Sequence, residues 1–244
     1  MLARRIEEAS LNAWPATQQL LYDGWIVRLA NGYTKRANSV TPLYPSELDL
    51  DEKIARCQGL YRDRGLPPIF RLTSLASPAG LDDALARSGY RVLDPTLVLH
   101  LDLAAGDPPA PREKLRRASV GEWLSLYTRL SEARSENEAK HSEILRSIVF
   151  PTLYACVDGA DGEPVACGLG VLEGDVVGLF DLVTGPAHRR RGYGSALVAG
   201  MLHWARAAGA RHAYLQVVRD NAPARRVYDR LGFREVYHYW YRAP

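Results

Sequence analysis

Pro186-Ala-His-Arg-Arg-Arg-Gly-Tyr-Gly-Ser-Ala196 joins three consecutive cations to two glycines and a hydroxyl, the residue types that hold a pyrophosphate. Gly192 and Gly194 let backbone approach phosphate oxygens closely, and Arg189, Arg190 and Arg191 favour an anion. Two familiar phosphate motifs do not fit. No lysine precedes Ser195, as a P-loop requires. A dinucleotide fingerprint would want a small residue where Leu197 stands and an acid near His212.

The elements that must position this turn follow from apolar spacing. Gly178 to Val183 reads as a strand closed by Gly185-Pro186. Leu197, Val198, Met201, Leu202, Ala205 and Ala208 recur at helical spacing, with Gly209 as the terminating cap. The first amides of such a helix lack partners within it and point into the turn, where the helix dipole adds to the arginines. Downstream, Ala213 to Val218 reads as a strand and Asn221 opens a further helix. Ala224, Val227, Tyr228 and Leu231 share one of its faces, and Gly232 ends it.

Arg189-x-x-Gly192-x-Gly194 and Asn221-x-x-Ala224-x-x-x-Tyr228-x-x-x-Gly232-Phe233 lie in that order, and the segment around them resembles the GNAT superfamily of acetyl-CoA-dependent N-acyltransferases. The resemblance covers about half the chain. It implies that acetyl-CoA is the cosubstrate and that the acceptor is a small-molecule or peptide amine. It further implies that the amides of Arg189, Arg190, Arg191, Gly192, Tyr193 and Gly194, with the Ser195 hydroxyl, hold the pyrophosphate. Leu182 and Val183 would line the pantetheine arm, a backbone amide near Val183 would polarise the thioester carbonyl, Asn221 would bond the arm, and Tyr228 would protonate the departing thiolate. A non-catalytic acyl-CoA sensor or scaffold is the alternative reading, and a nucleotide-dependent oxidoreductase a more distant one.

Attack by an amine needs a proton acceptor, for which Asp181 on the strand before the turn is the first candidate. By strand alternation Asp181 and Val183 face one way and Leu182 the other, though Asp181 could equally pair with an arginine. Glu173, in a hairpin with Gly174 and Asp175, reads as a solvated turn residue. Glu138 and His141 share a helix face within Ser135 to Ile148 and are candidates for acceptor binding. His188 reads as a rim residue of the basic turn, and His203 as surface. Cys57, Cys156 and Cys167 lack metal or disulfide spacing, so no metal site is expected.

The rest of the chain matches the recognised part weakly at a fixed offset of 143, which carries Gly89-Tyr90 onto Gly232-Phe233, Val40-Thr41 onto Val183-Thr184 and Leu72 onto Leu215. At this offset the cofactor chemistry is absent: Ser46-Glu-Leu-Asp-Leu-Asp51 replaces the basic turn, Pro78 stands for Asn221 and Leu85 for Tyr228. The expected architecture is therefore α/β with a mixed sheet. Residues 1–105 form a degenerate GNAT-like or other small α/β domain without a cofactor site, and residues 106–244 a catalytic GNAT domain. A proline-rich linker, Ala104 to Pro111, lies between them. The last strand, Tyr237 to Arg242, sends three tyrosines to one face.

A net charge of +3 is small for 244 residues and is accounted for by the turn, which argues against nucleic acid as a partner. The charged beginning, Met-Leu-Ala-Arg-Arg-Ile-Glu-Glu, is unlike a signal peptide, and no apolar run is long enough to span a bilayer. The expectation is a cytoplasmic monomer or homodimer that does not enter membranes.

Overall fold

The structure is a computed structural model in which residues 1–76, 78–110, 113–132 and 135–244 are described. Its first half runs α1 (Leu2–Ala13), β1 (Gln18–Tyr22), β2 (Trp25–Leu29), β3 (Val40–Pro42), α2 (Leu50–Arg62), β4 (Phe70–Thr73), α3 (Leu81–Arg87) and β5 (Arg91–Asp102). The second half adds β6 (Leu115–Arg117), α4 (Val120–Ser131), α5 (Glu138–Arg146), β7 (Thr152–Asp158), β8 (Pro164–Glu173) and β9 (Val176–Thr184), then α6 (Tyr193–Ala207), β10 (His212–Val218), α7 (Ala222–Arg230) and β11 (Arg234–Ala243).

The strands form one mixed sheet in the order β1-β2-β3-β4-β11-β5-β10-β9-β8-β7-β6. At its centre the two halves trade strands. β5 of the first half lies antiparallel between β10 and β11, and β11 of the second half lies antiparallel between β4 and β5. β3 and β4 are parallel, as are β9 and β10. The offset of 143 takes Leu50 at the start of α2 to Tyr193 at the start of α6. It takes Arg87 at the end of α3 to Arg230 at the end of α7, and Arg91 at the start of β5 to Arg234 at the start of β11. From β1 and again from β7 the chain thus runs through the same order, three strands and then helix, strand, helix, strand, while β6 and one of the two helices α4 and α5 have no counterpart in the first half. Both passes contribute to the one sheet; Pro111 of the expected linker lies outside the described residues.

Apolar side chains cover both sheet faces. Leu197, Val198, Met201 and Leu202 of α6 pack with Leu179, Leu215 and Phe233 on one side. On the other, Ile6 and Ala9 of α1 join Trp123 and Leu126 of α4 and Ile144 of α5 over Leu169, Phe180 and the three tyrosines of β11. The opposite face of β11 is covered by α3: Arg242 and the Trp240 indole both donate to Asp82. Helix α1 is tied down by a buried ion pair between Glu7 and Arg71 of β4, and Tyr237 Oη donates to the same carboxylate at 2.6 Å. Among the described residues no helix is long and apolar enough to cross a membrane.

Candidate active site

Strands β9 and β10 pair only from Val176 with His212 to Leu179 with Leu215, and then part. A bulge in β9 marks the divergence. Across β8, Leu169 faces Phe180 and Cys167 faces Val183, so three steps along β9 answer two along β8. Asp181 takes φ 48° to achieve this, a value uncommon for any residue but glycine. Phe180 and Val183 join one face cluster while Leu179 and Leu182 join the other. Phe180 and Asp181 therefore both face the α4 and α5 side, a departure from strand alternation that no pattern in the residues announced.

Beyond the parted strands lies the basic turn. Arg190 at φ 62° and Gly192 at φ 90° fold it tightly, and α6 starts with no side-chain cap. The first helical bond runs from the Ala196 amide to the Gly192 carbonyl at 3.0 Å. The amides of Tyr193, Gly194 and Ser195 are thus left to face the turn. Gly194 packs closely enough that a β-carbon would stand 3.3 Å from Thr184 Oγ1. Asn221 caps α7 by accepting from the Ala224 amide at 3.2 Å, which leaves its side-chain NH₂ available. Tyr228 is buried, its hydroxyl has no hydrogen bond among the described residues, and burial pushes its pKa up to about 12.

These elements enclose a cleft of about 830 Å³. Leu182, Val183, Arg189, Arg190, Gly192, Tyr193, Gly194, Ser195, Asn221 and Tyr228 all line it. Arg191 is exposed on the turn and is not among the lining residues, nor is Asp181. His188 joins the lining, and so do Arg226 and Arg230 of α7, which sequence reasoning did not single out. Their i, i+4 spacing on the helix that carries Tyr228 was the available signal.

On the face shared by Val183, Asp181 meets α5. His141 Nε2 lies 3.0 Å from Asp181 Oδ2, although the two are not aligned for a hydrogen bond. The His141 ring is enclosed by Trp14, Tyr33, Trp123 and Tyr127, with centroids 5.1 to 6.1 Å away. Trp14 and Tyr33 come from the first half, and Arg36 of the same half stacks on Trp14 and Phe180. Nothing in the spacing of residues revealed this contribution, because it depends on how the halves meet. The other candidates contact neighbouring protein groups. Glu138 accepts from the Thr128 hydroxyl, Glu173 accepts from Asn12, and His203 contacts the linker carbonyls of Pro108 and Pro109. All three cysteines are buried and free, and burial raises their thiol pKa values.

At the equivalent position in the first half, the amides before and at the start of α2 are already satisfied. Asp49 accepts from Asp51 and Glu52, while Asp23 accepts from Glu47 and Leu48 and pairs with buried Lys53 at 2.8 Å. The Lys53 hydrogen bond is the largest cause holding the Asp23 pKa down at about 2. The chain's own carboxylates sit at amides equivalent to those that the second half leaves free.

Comparison with known proteins gives the family and the fold. Residues 3–242 match the family described as "Probable histone acetyltransferase Rv0428c C-terminal". The chain is 28% identical over 247 residues to a protein of Bacillus subtilis described as "Uncharacterized N-acetyltransferase YobR", covering 98% of this chain and 97% of that protein. Among solved structures, a GCN5-related N-acetyltransferase from Kribbella flavida superposes with a TM-score of 0.75 at 19% identity, over 99% of this chain and 95% of that one. A tandem GNAT protein from the clavulanic acid biosynthesis pathway superposes with a TM-score of 0.58 at 16% identity, over 78% of this chain and 67% of that one.

Proposed function

For a chain that belongs to the Rv0428c C-terminal family of GNAT N-acetyltransferases, we propose transfer of an acetyl group from acetyl-CoA to a primary amine by direct attack within a ternary complex. The observation that carries this reading is the meeting, in one cleft, of three helix amides, the NH₂ of Asn221 and the hydroxyl of Tyr228, all without hydrogen-bond partners among the described residues. The donor set suits CoA. Amides and arginines answer a pyrophosphate, and the parted edges of β9 and β10 offer backbone groups to an amide-bearing arm.

Acetyl-CoA would supply an activated acyl carbonyl and a thiol leaving group. The amides of Tyr193, Gly194 and Ser195, with Arg189 and Arg190, hold its pyrophosphate, and exposed Arg191 adds field at the rim. Leu182 and Val183 flank the arm, and Asn221 donates to it. Tyr228 remains protonated at neutral pH and gives its proton as the sulfur departs. A lysine-like amine must lose a proton first, at a cost of about 4.6 kcal/mol at pH 7. Asp181 receives that proton, and His141 positions the carboxylate.

In this reading residues 1–105 carry no cofactor site, because Asp23 and Asp49 already occupy the equivalent amides. They act as a wall to the acceptor side through Trp14, Tyr33 and Arg36. Calorimetric titration with CoA tests the site directly. One CoA per chain, with binding weakened in Asn221→Ala, is expected; two CoA per chain, or binding indifferent to Asn221, contradicts it.

A further inference from the structure

The loop between β2 and β3 is held from within. Asn38 Oδ1 accepts from the amides of Ala30 and Gly32, and its Nδ2 donates to the carbonyls of Tyr33 and Thr34. Trp14 Nε1 donates to Thr34 Oγ1 at 3.1 Å, and Arg28 Nη1 to the Arg36 carbonyl at 2.8 Å. Satisfied buried networks of this kind fix a loop in one arrangement. This one delivers Tyr33 and Arg36 to the face of the sheet that carries Asp181.

The Arg36 guanidinium carbon lies 5.3 Å from the Trp14 ring centre and 5.6 Å from that of Phe180. Among the described residues the side chain makes no hydrogen bond or ion pair, and its Nε is buried without a partner. Burial disfavours its charge and Tyr239, Tyr241 and Asp181 favour it, with the net effect of holding its pKa above the ordinary value; what is left unmatched is hydrogen bonding, which an anionic acceptor would supply. The neighbouring ions are already committed. Glu7 pairs with Arg71, Arg28 donates to the carbonyls of Leu11 and Arg36, and Asp181 stands against His141. Arg36 and Asp181 form no ion pair, yet both reach Tyr33. Burial first and Asp181 second push the Tyr33 pKa up to about 12, while Arg36 works against them.

A fixed cation and a fixed carboxylate that share a site without pairing match the two ends of a zwitterion. Resting on the transfer proposed above, we propose that the acceptor is an amine of the amino-acid class, its carboxylate received by Arg36 and its amine by Asp181. Asp181 lies two residues before cleft-lining Val183 on the same face, so the amine sits beside the inner end of the cleft. The two aromatic rings hold the Arg36 guanidinium between them, and a guanidinium fork suits bidentate contact with a carboxylate. Long polycationic acceptors are disfavoured, because Arg36 repels a second positive charge.

The test uses L-alanine, L-phenylalanine, L-aspartate and L-lysine, each against its methyl ester and its amide, with thiol release from acetyl-CoA followed at matched pH. At least one free acid is expected to exceed its ester and amide by about 10- to 100-fold in kcat/KM, as loss of a hydrogen bond to a charged group predicts. Arg36→Gln should narrow that ratio by raising KM for the acid, and Arg36→Lys should restore part of it. A second readout is calorimetric: with CoA bound, the preferred acid binds the wild type more tightly than Arg36→Gln. Equal rates for acids and esters, or an unchanged ratio in Arg36→Gln, overturn this inference alone. Thiol release from no amine overturns the proposed transfer and this inference with it. If Arg36→Gln fails to fold, the acid-to-ester ratio of the wild type still decides.

Discussion

His141 Nε2 and Asp181 Oδ2 stand 3.0 Å apart, one on a helix of the second half and the other on a bulge of its central strand. The bulge turns Asp181 toward the same face as Phe180, and the aromatic enclosure holds the imidazole against it. In the proposed transfer such an imidazole would orient the carboxylate and act on the amine only through it. Asp181→Asn is expected to lower kcat by about 10²-fold, within the range for a lost general base, and His141→Phe by about tenfold. The double variant should be no worse than Asp181→Asn, because the two act as a unit. Additive losses in steady-state kinetics would show instead that they act separately.

Tyr228 has a different signature. Because burial raises its pKa to about 12, it stays protonated through pH 10. Tyr228→Phe should lower kcat by roughly 10- to 100-fold with little change in KM for acetyl-CoA. Any alkaline decline in rate below pH 10 should persist in this variant. Its disappearance would assign that decline to Tyr228 and contradict the raised pKa.

That the basic turn and the helix after it line one cleft was legible in the sequence, because local chemistry dictates it. Glycines and arginines before an amphipathic helix, and asparagine at a helix start, leave their marks within a dozen residues. The repeat was legible too, since Gly89-Tyr90 and Gly232-Phe233 close equivalent helices, α3 and α7. The acceptor side was not. Trp14, Tyr33 and Arg36 reach Phe180 and His141 across the junction of the two halves, and the bulge at Asp181 is set by register against β8. Such non-local pairings have no counterpart in spacing along the chain.

The exchange of β5 and β11 predicts mutual dependence of the halves. A fragment of residues 106–244 would lack β5, leaving edges of β10 and β11 unpaired and Tyr237 without Glu7. We expect it to be aggregated or unfolded alone and to recover a cooperative melting transition when co-expressed with residues 1–105. A monomeric, cooperatively folded fragment would contradict the interdependence.

The Asp23–Lys53 arrangement predicts a specific pH dependence of stability. Its folded pKa, about 2, lies below the ordinary carboxylate value of 3.8, so its contribution is present above about pH 4 and is lost as pH falls toward 2. Asp23→Asn should therefore be less stable than the wild type at pH 7 in denaturant titrations, with the gap closing between about pH 4 and 2. A gap that is constant across this range would place the effect elsewhere.

Acetyl transfer itself is tested most directly by incubating the protein with acetyl-CoA and the amine panel while recording thiol release and the mass of the acceptor. The expected result is release of one thiol for each N-acetylated amine formed, slowed in both Tyr228→Phe and Asp181→Asn. Stoichiometric binding of acetyl-CoA with no acetylated amine from any acceptor would contradict the account.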